Sequence, residues 1–301
     1  MNRIRGMIVP VVTPLTASFE VDVPALKRIC DNQIEAGMDG LFVLGTTGEF
    51  YGLTPVQRRV VVDVALEAAA GRIPILTGIS GESTAASLQM LRDSGRSEVA
   101  GYVVSSPYFF DYSQDELLDH FRALCEAAGR PLILYNYPHR YRHLLEIATV
   151  EKLLEEQNTF AIKDTSGDFG YMLRLLELRK SFPDFRVFEG ALPNLARSGR
   201  EGVDGAVQAI GNLLPHECVA LWNRVEAGDW DHLEKDVAHA WAFHREIETV
   251  APFIAALKAC MALRGWCRAT PTRPTRPVSQ EGVLRLSALM DQSYPGGASC
   301  G

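Results

Sequence analysis

A barrel of eight parallel strands, each followed by a helix, is the fold this sequence predicts, and three observations predict it. Short apolar runs rich in Val and Ile recur eight times along the 301 residues. Longer stretches with helical periodicity lie between them. No Gly-rich dinucleotide fingerprint follows any run, which counts against a doubly wound open sheet, the other architecture that alternates strands with helices.

The runs lie at 7–12, 40–44, 73–78, 101–105, 131–135, 159–163, 186–190 and 205–209. They are continuously apolar rather than alternating, as expected of parallel strands covered on both faces. Amphipathic stretches at 23–36, 55–70, 114–128 and 148–156 read as helices. Thr54-Pro55 has the form of an N-cap followed by Pro at the first helical position. Gly37 and Gly129 stand where helices should stop. After the eighth run the pattern is almost wholly helical, with helices expected at 232–249, 251–264 and 279–290. The Pro-rich stretch ATPTRPTRPVS between the last two reads as a rigid connector, and the tail PGGASCG as frayed. The reading is therefore an α/β (β/α)₈ TIM barrel at 1–215 with a C-terminal helical extension at 216–301. The two form one continuous structural domain.

Composition fits such a core: 47% of residues are hydrophobic and 22% charged. A formal net charge of −7 with no basic run argues against a nucleic-acid partner. The opening stretch MNRIRGMIVPVVTPL is broken by Pro10 and Pro14 and lacks a cleavage site, so it reads as a first buried strand rather than a signal peptide. No run approaches eighteen apolar residues, and no membrane partner is expected. Six cysteines, at 30, 125, 218, 260, 267 and 300, are scattered without a CxxC pair. They read as reduced core residues of a cytoplasmic protein.

In a barrel of this kind the chemistry belongs at the C-terminal strand ends. Four of these are unusual: Gly45-Thr46-Thr47-Gly48-Glu49, Ser106-Pro107-Tyr108-Phe109, Tyr135-Asn136-Tyr137-Pro138 and Lys163-Asp164-Thr165-Ser166-Gly167-Asp168. Lysine is scarce, six against twenty-four arginines. Lys27, Lys152, Lys180 and Lys235 sit in charged helical stretches, and Lys258 on a mostly apolar helix where partial burial is expected. Only Lys163 continues an apolar strand onto the active face. Desolvation there lowers an amine's pKa and leaves part of it neutral and nucleophilic. A structural ion pair with Asp164 or Asp168 is the alternative. Tyr135 can relay protons beside such an amine, or can simply pack. The GTTG turn offers hydroxyls and N–H groups to a carboxylate, or is a plain strand–helix turn. His139 and His143 lack companions at ligand spacing and read as surface residues, so no metal site is expected.

Taken together, GTTGE at 45–49, SPY at 106–108, YNYP at 135–138 and IKDTSGD at 162–168 resemble the dihydrodipicolinate synthase / N-acetylneuraminate lyase family. The resemblance runs from about Gly6 to Met290. It implies that Lys163 forms an imine with pyruvate or a related 2-oxo acid, with no cofactor. Tyr135 is then the proton relay, and Thr46 and Thr47 bind the carboxylate and connect to Tyr135, with Thr47 counted among the catalytic groups. Gly190 and Val207 match positions lining the imine pocket. Gly48, Tyr108, Phe109, Asn136, Arg140 and Thr165 complete the expected substrate-binding set. The partners implied are a small 2-oxo acid, an aldehyde and further copies of the chain, as a dimer of dimers.

The sequence also departs from the synthase pattern. Phe109 stands where the synthase has a second phenol donated across the dimer. His139-Arg140-Tyr141-Arg142 replaces Ser-Arg-Thr-Gly, keeping Arg140 as a candidate for a substrate carboxylate, with Arg142 as a second. Pro55 and Arg58 replace histidines of a lysine-feedback site, so that inhibition is not expected. IKDTSGD resembles the sugar-acid branches more than the synthase. The function expected is reversible aldol cleavage of a 2-keto-3-deoxy sugar acid. A true synthase and a paralogue that binds such an acid without turnover are the alternatives.

Overall fold

In a computed structural model, residues 4–155 and 159–294 are described. Eight strands close into one parallel barrel in sequence order. They are β1 (Gly6–Pro10), β2 (Gly40–Val43), β3 (Ile75–Gly78), β4 (Gly101–Ser105), β5 (Leu132–Asn136), β6 (Thr159–Asp164), β7 (Arg186–Glu189) and β8 (Gly205–Val207). The seam closes where β1 pairs with β8, and Asn212 stitches it by donating to the Pro10 carbonyl and accepting from Val12 N–H. Every predicted strand forms, with ends differing by at most two residues.

The alternation missing from the apolar runs is present in space. Ile8, Phe42, Leu76, Val103, Ile133, Ala161, Phe188 and Val207, one from each strand, fill the barrel interior. Their neighbours Met7, Leu41, Val43, Ile75, Val104, Leu134, Ile162 and Val187 face the surrounding helices. Both faces are dry, so both carry apolar side chains and the sequence shows no period of two.

The helices are α1 (Val23–Glu35), α2 (Pro55–Ala69), α3 (Thr84–Ser94), α4 (Gln114–Ala128), a one-turn α5 (Pro138–Tyr141), α6 (Ile147–Leu154), α7 (Phe169–Glu177), α8 (Leu195–Arg200), α9 (Pro215–Ala227), α10 (Trp230–Glu248), α11 (Phe253–Leu263) and α12 (Gln280–Ser293). Thr54 and Gln57 form a full capping box around Pro55, and Gly129 ends α4 in a left-handed conformation. The expected end of the 148–156 helix at Glu156 and the 295–301 tail with Cys300 lie outside the described residues. No described helix is long and apolar enough to cross a membrane.

Candidate active site

Strand alternation decides which polar residues enter the barrel. On β6, Ala161 and Lys163 point inward and Ile162 and Asp164 outward. The Lys163 amine is buried, 4.0 Å from the Tyr135 ring centroid and 5.5 Å from that of Phe42. No carboxylate among the described residues lies within ion-pair distance of it. Burial alone therefore brings its pKa down from 10.5 to about 7. The ion pair weighed from sequence does not form, because Asp164 is on the other face of the strand. There it accepts from Asn136 Nδ2 (2.7 Å) and Ser166 Oγ (2.8 Å), and burial raises it to about 6. Glu189, outward on β7, is likewise raised to about 8 by burial, with Oε2 unpartnered among the described residues.

The turn after β2 brings hydroxyls to this amine. Leu44 and Glu49 bracket it with φ of 57° and 54°, conformations costly for side chains other than glycine. At Gly48 a Cβ would lie 2.9 Å from the Val11 carbonyl oxygen, and the Gly48 carbonyl accepts from Thr13 Oγ1 at 2.7 Å. So pinned, the turn directs Thr46 and Thr47 into a cavity of about 780 Å³ that also exposes Tyr135, Lys163, Thr165, Gly190 and Val207. Burial holds Tyr135 well above the usual phenol range, and the neighbouring Tyr141 adds to this while the Thr46 hydroxyl opposes it. It stands protonated and is a donor. The Thr165 hydroxyl is buried without a partner among the described residues, free for a ligand. At Gly190 any side chain would collide with Thr165 Oγ1 and lie 3.1 Å from Lys163 Cε.

Tyr108 and Arg140 also line the cavity. Three expected site residues do not line it. Asn136 follows the inward Tyr135 and so points outward, holding Asp164 and accepting from Leu145 N–H. Phe109 is 68% exposed, packed edge-on against Phe110 and turned to solvent. Gly48 shapes the turn and offers the cavity nothing. Arg142 is committed to Asp111 at 2.9 Å. His143 is not a surface residue. It is buried, accepting at Nε2 from Tyr112 N–H and donating from Nδ1 to the Tyr141 carbonyl, 2.8 Å each.

Two features escaped the sequence reading. The C-terminal extension walls the cavity with Trp241, His244, Glu248 and Phe253. His244 stacks on Phe253 with centroids 4.1 Å apart and lies 3.8 Å from Glu248, and burial lowers it to about 4, so its ring is neutral near pH 7 while Glu248 brings a carboxylate to the wall. Lys258, at 0% exposure, pairs with Glu49 and donates to the Thr270 carbonyl at 3.0 Å. Thr272 N–H and Oγ1 donate to the same Glu49 carboxylate at 2.6 and 2.9 Å. The Pro-rich connector thereby clamps the residue that ends the GTTG turn.

Among the described residues no group of three or more His, Cys, Asp or Glu could hold a metal ion. What the cavity offers is a single neutral-capable amine, a protonated phenol and a ring of hydroxyls. The sequence model of the dihydrodipicolinate synthetase family matches residues 3–293. The chain belongs to this family. Its members are class I aldolases and lyases, and this chain is an enzyme of that type. It is 34% identical to the 4-hydroxy-tetrahydrodipicolinate synthase of Salinibacter ruber over 303 residues, covering 95% of this chain and 94% of the relative. It is 29% identical to the putative 2-dehydro-3-deoxy-D-gluconate aldolase YagE of Escherichia coli K12 over 297 residues, with 95% and 96% covered. The crystal structure of YagE in complex with pyruvate superposes with a TM-score of 0.90 at 27% identity, covering 96% and 98% of the two chains.

Proposed function

We propose that the protein is a Schiff-base lyase in which Lys163 captures a pyruvate-type 2-oxo acid, and that it reversibly cleaves a 2-keto-3-deoxy sugar acid. The observation that carries this is the Lys163 amine, desolvated among aromatic rings with no anion to hold its proton. Its neutral form attacks C2 of the acid, and the proton lost by nitrogen passes to the former carbonyl oxygen. That hydroxyl leaves as water on taking a further proton from Tyr135, giving the protonated imine. The Tyr135 phenolate takes the C4 hydroxyl proton as the C3–C4 bond electrons flow into the imine, yielding an aldehyde and an enamine. Tyr135 then protonates C3, and water adds back to the imine carbon, returning its proton to Tyr135, to release pyruvate and the free amine. The imine is the electron sink, so this route calls for no metal or organic cofactor.

The acid's carboxylate meets the Thr46-Thr47 turn, and the unpartnered Thr165 hydroxyl is available to the same ligand. A cavity of about 780 Å³ exceeds what pyruvate alone needs and leaves room for a hydroxylated chain. Arg140 and His139 lie on its wall for a polar or anionic end. The similarity to YagE favours this substrate class. The higher identity to a synthase favours the second reading, condensation of pyruvate with aspartate semialdehyde. Exposed Phe109 and Phe110 fit a homo-oligomer, and the unbridged cysteines fit a cytoplasmic setting.

Borohydride reduction in the presence of pyruvate should add one covalent adduct, located by peptide mass spectrometry at Lys163. Absence of an adduct, or one surviving Lys163→Ala, would overturn the mechanism. Cleavage rates on 2-keto-3-deoxy acids, compared with condensation on aspartate semialdehyde, then separate the two substrates.

A further inference from the structure

Among the described residues that line the cavity, Glu248 is the only carboxylate. It shares one face of α10 with Trp241 and His244, at i, i+3 and i+7 along the helix. The other face, with Val237, Ala240, Phe243 and Ile247, is buried in the core, so packing of α10 turns these three towards the cavity. The rings are held in an array, with the His244 centroid 4.9 Å from that of Trp241 and 4.1 Å from that of Phe253. His244 Nε2 lies 3.8 Å from the Glu248 carboxylate, but the ring is neutral, and among the described residues no other cation comes within ion-pair distance. Glu248 therefore brings the cavity an acceptor without a counter-charge. Arg140, after β5, lines the same cavity and brings donors only. The turn after β7 adds Ala191, Leu192 and Pro193, whose side chains bond no hydroxyl.

We propose that Glu248 reads the aldehyde half of the substrate and selects an uncharged, polyhydroxy chain. Lys163 and the Thr46-Thr47 turn engage C2 and the carboxylate, so the hydroxyls beyond the cleaved bond are the ones left to meet the α10 wall. A hydroxyl both donates and accepts, and so satisfies Glu248 and Arg140 together. A phosphate or carboxylate end accepts only. It satisfies the arginine and meets Glu248 as a like charge, which is how an unpaired charge rejects a competitor. The C–H faces of the chain lie against the Trp241–His244–Phe253 array and the apolar turn after β7. This assignment rests on the sugar-acid cleavage proposed above and narrows it to acids whose far end carries no phosphate or second carboxylate. Glu248 sets specificity and touches no reacting atom.

The test measures kcat/KM for addition of pyruvate to glyceraldehyde, propanal, glyceraldehyde 3-phosphate and aspartate semialdehyde, with borohydride trapping of pyruvate followed in each protein. Propanal has the carbon chain of glyceraldehyde without its hydroxyls, so the change in their ratio between wild type and variant isolates hydroxyl recognition from aldehyde reactivity. Glu248→Ala should lower the glyceraldehyde-to-propanal ratio about 10- to 100-fold, as for loss of a hydrogen bond to a charged group. Glu248→Gln keeps an acceptor oxygen and loses the charge. It should retain most of that ratio and raise glyceraldehyde 3-phosphate relative to glyceraldehyde about 10-fold. Equal losses on glyceraldehyde and propanal, or no loss, in a Glu248→Ala protein that still traps pyruvate would overturn the role of Glu248 and leave the imine chemistry standing. A wild type that takes glyceraldehyde 3-phosphate as readily as glyceraldehyde would do the same. A wild-type preference for aspartate semialdehyde, whose ammonium would meet Glu248 and whose carboxylate would meet Arg140, would overturn this assignment together with the sugar-acid reading. Absence of any adduct in the wild type would overturn the imine chemistry itself.

Discussion

Replacing Lys163 by methionine should make the protein more stable, by an amount that depends on pH. The lysine's proton is held with a pKa of about 7 in the fold against 10.5 when exposed. At about 1.4 kcal/mol per tenfold change in proton affinity, keeping the amine charged inside the barrel costs up to about 5 kcal/mol. Between these two values the unfolded chain binds the proton and the folded chain does not, so wild-type stability rises with pH across that window. Below pH 7 both states carry it and the cost is felt in full. Methionine has nearly the same length and no charge. Water entering the cavity mouth relieves part of the penalty, so Lys163→Met should gain about 2–5 kcal/mol at pH 6. The gain should shrink as pH climbs from 7 towards 10. Urea titrations of both proteins at matched subunit concentration, at pH 6, 8 and 9.5, measure it. A variant no more stable at pH 6, or a gap that does not move with pH, would refute the claim that the amine is desolvated and unpaired.

The same pKa governs reactivity. The rate of adduct formation with pyruvate should climb as pH rises towards about 7 and level off above it, and a rate already flat from pH 5.5 to 8 would count against Lys163 as the amine. Glu189 should show the opposite slope to the lysine: its pKa is raised from 4.5 to about 8, so the folded state binds the extra proton between these values and stability falls as pH rises. Glu189→Gln should therefore gain about 1–3 kcal/mol relative to wild type on going from pH 5 to pH 8.5, read by urea titration. Gly190→Ala would set a methyl against Thr165 Oγ1 and Lys163 Cε. Trapping should slow at least about 10-fold, with a stability loss of about 1–3 kcal/mol by thermal melting; normal trapping would show that the lysine does not need that space.

The barrel was readable because parallel strands covered on both faces leave continuous apolar runs, and eight of them exceed what an open sheet needs. Lys163 was readable because it alone among six lysines extends such a run. The direction of each side chain was not. Asn136 is adjacent to Tyr135 and was expected in the site, yet the pleat turns one inward and the other onto Asp164. His143 was read as exposed because its partners, Tyr112 N–H and the Tyr141 carbonyl, are backbone groups that no spacing reveals. Tyr141 itself carried no motif, since its bond to Thr46 depends on a one-turn helix after β5 that folds the chain back over the barrel mouth. The same holds for the cavity wall built by α10 and α11, which are remote in sequence from every strand end.

The clamp on Glu49 sets an order of events in synthesis. All eight strands have been translated once Val207 is made, but Lys258 and Thr272, which hold the Glu49 carboxylate, come at least fifty residues later. Until they arrive, the Glu49 carboxylate lacks the ammonium and both Thr272 donors that hold it in the finished fold. The turn that presents Thr46 and Thr47 therefore takes its support from a segment beyond the last strand, so the catalytic face depends on the C-terminal extension as well as on the barrel.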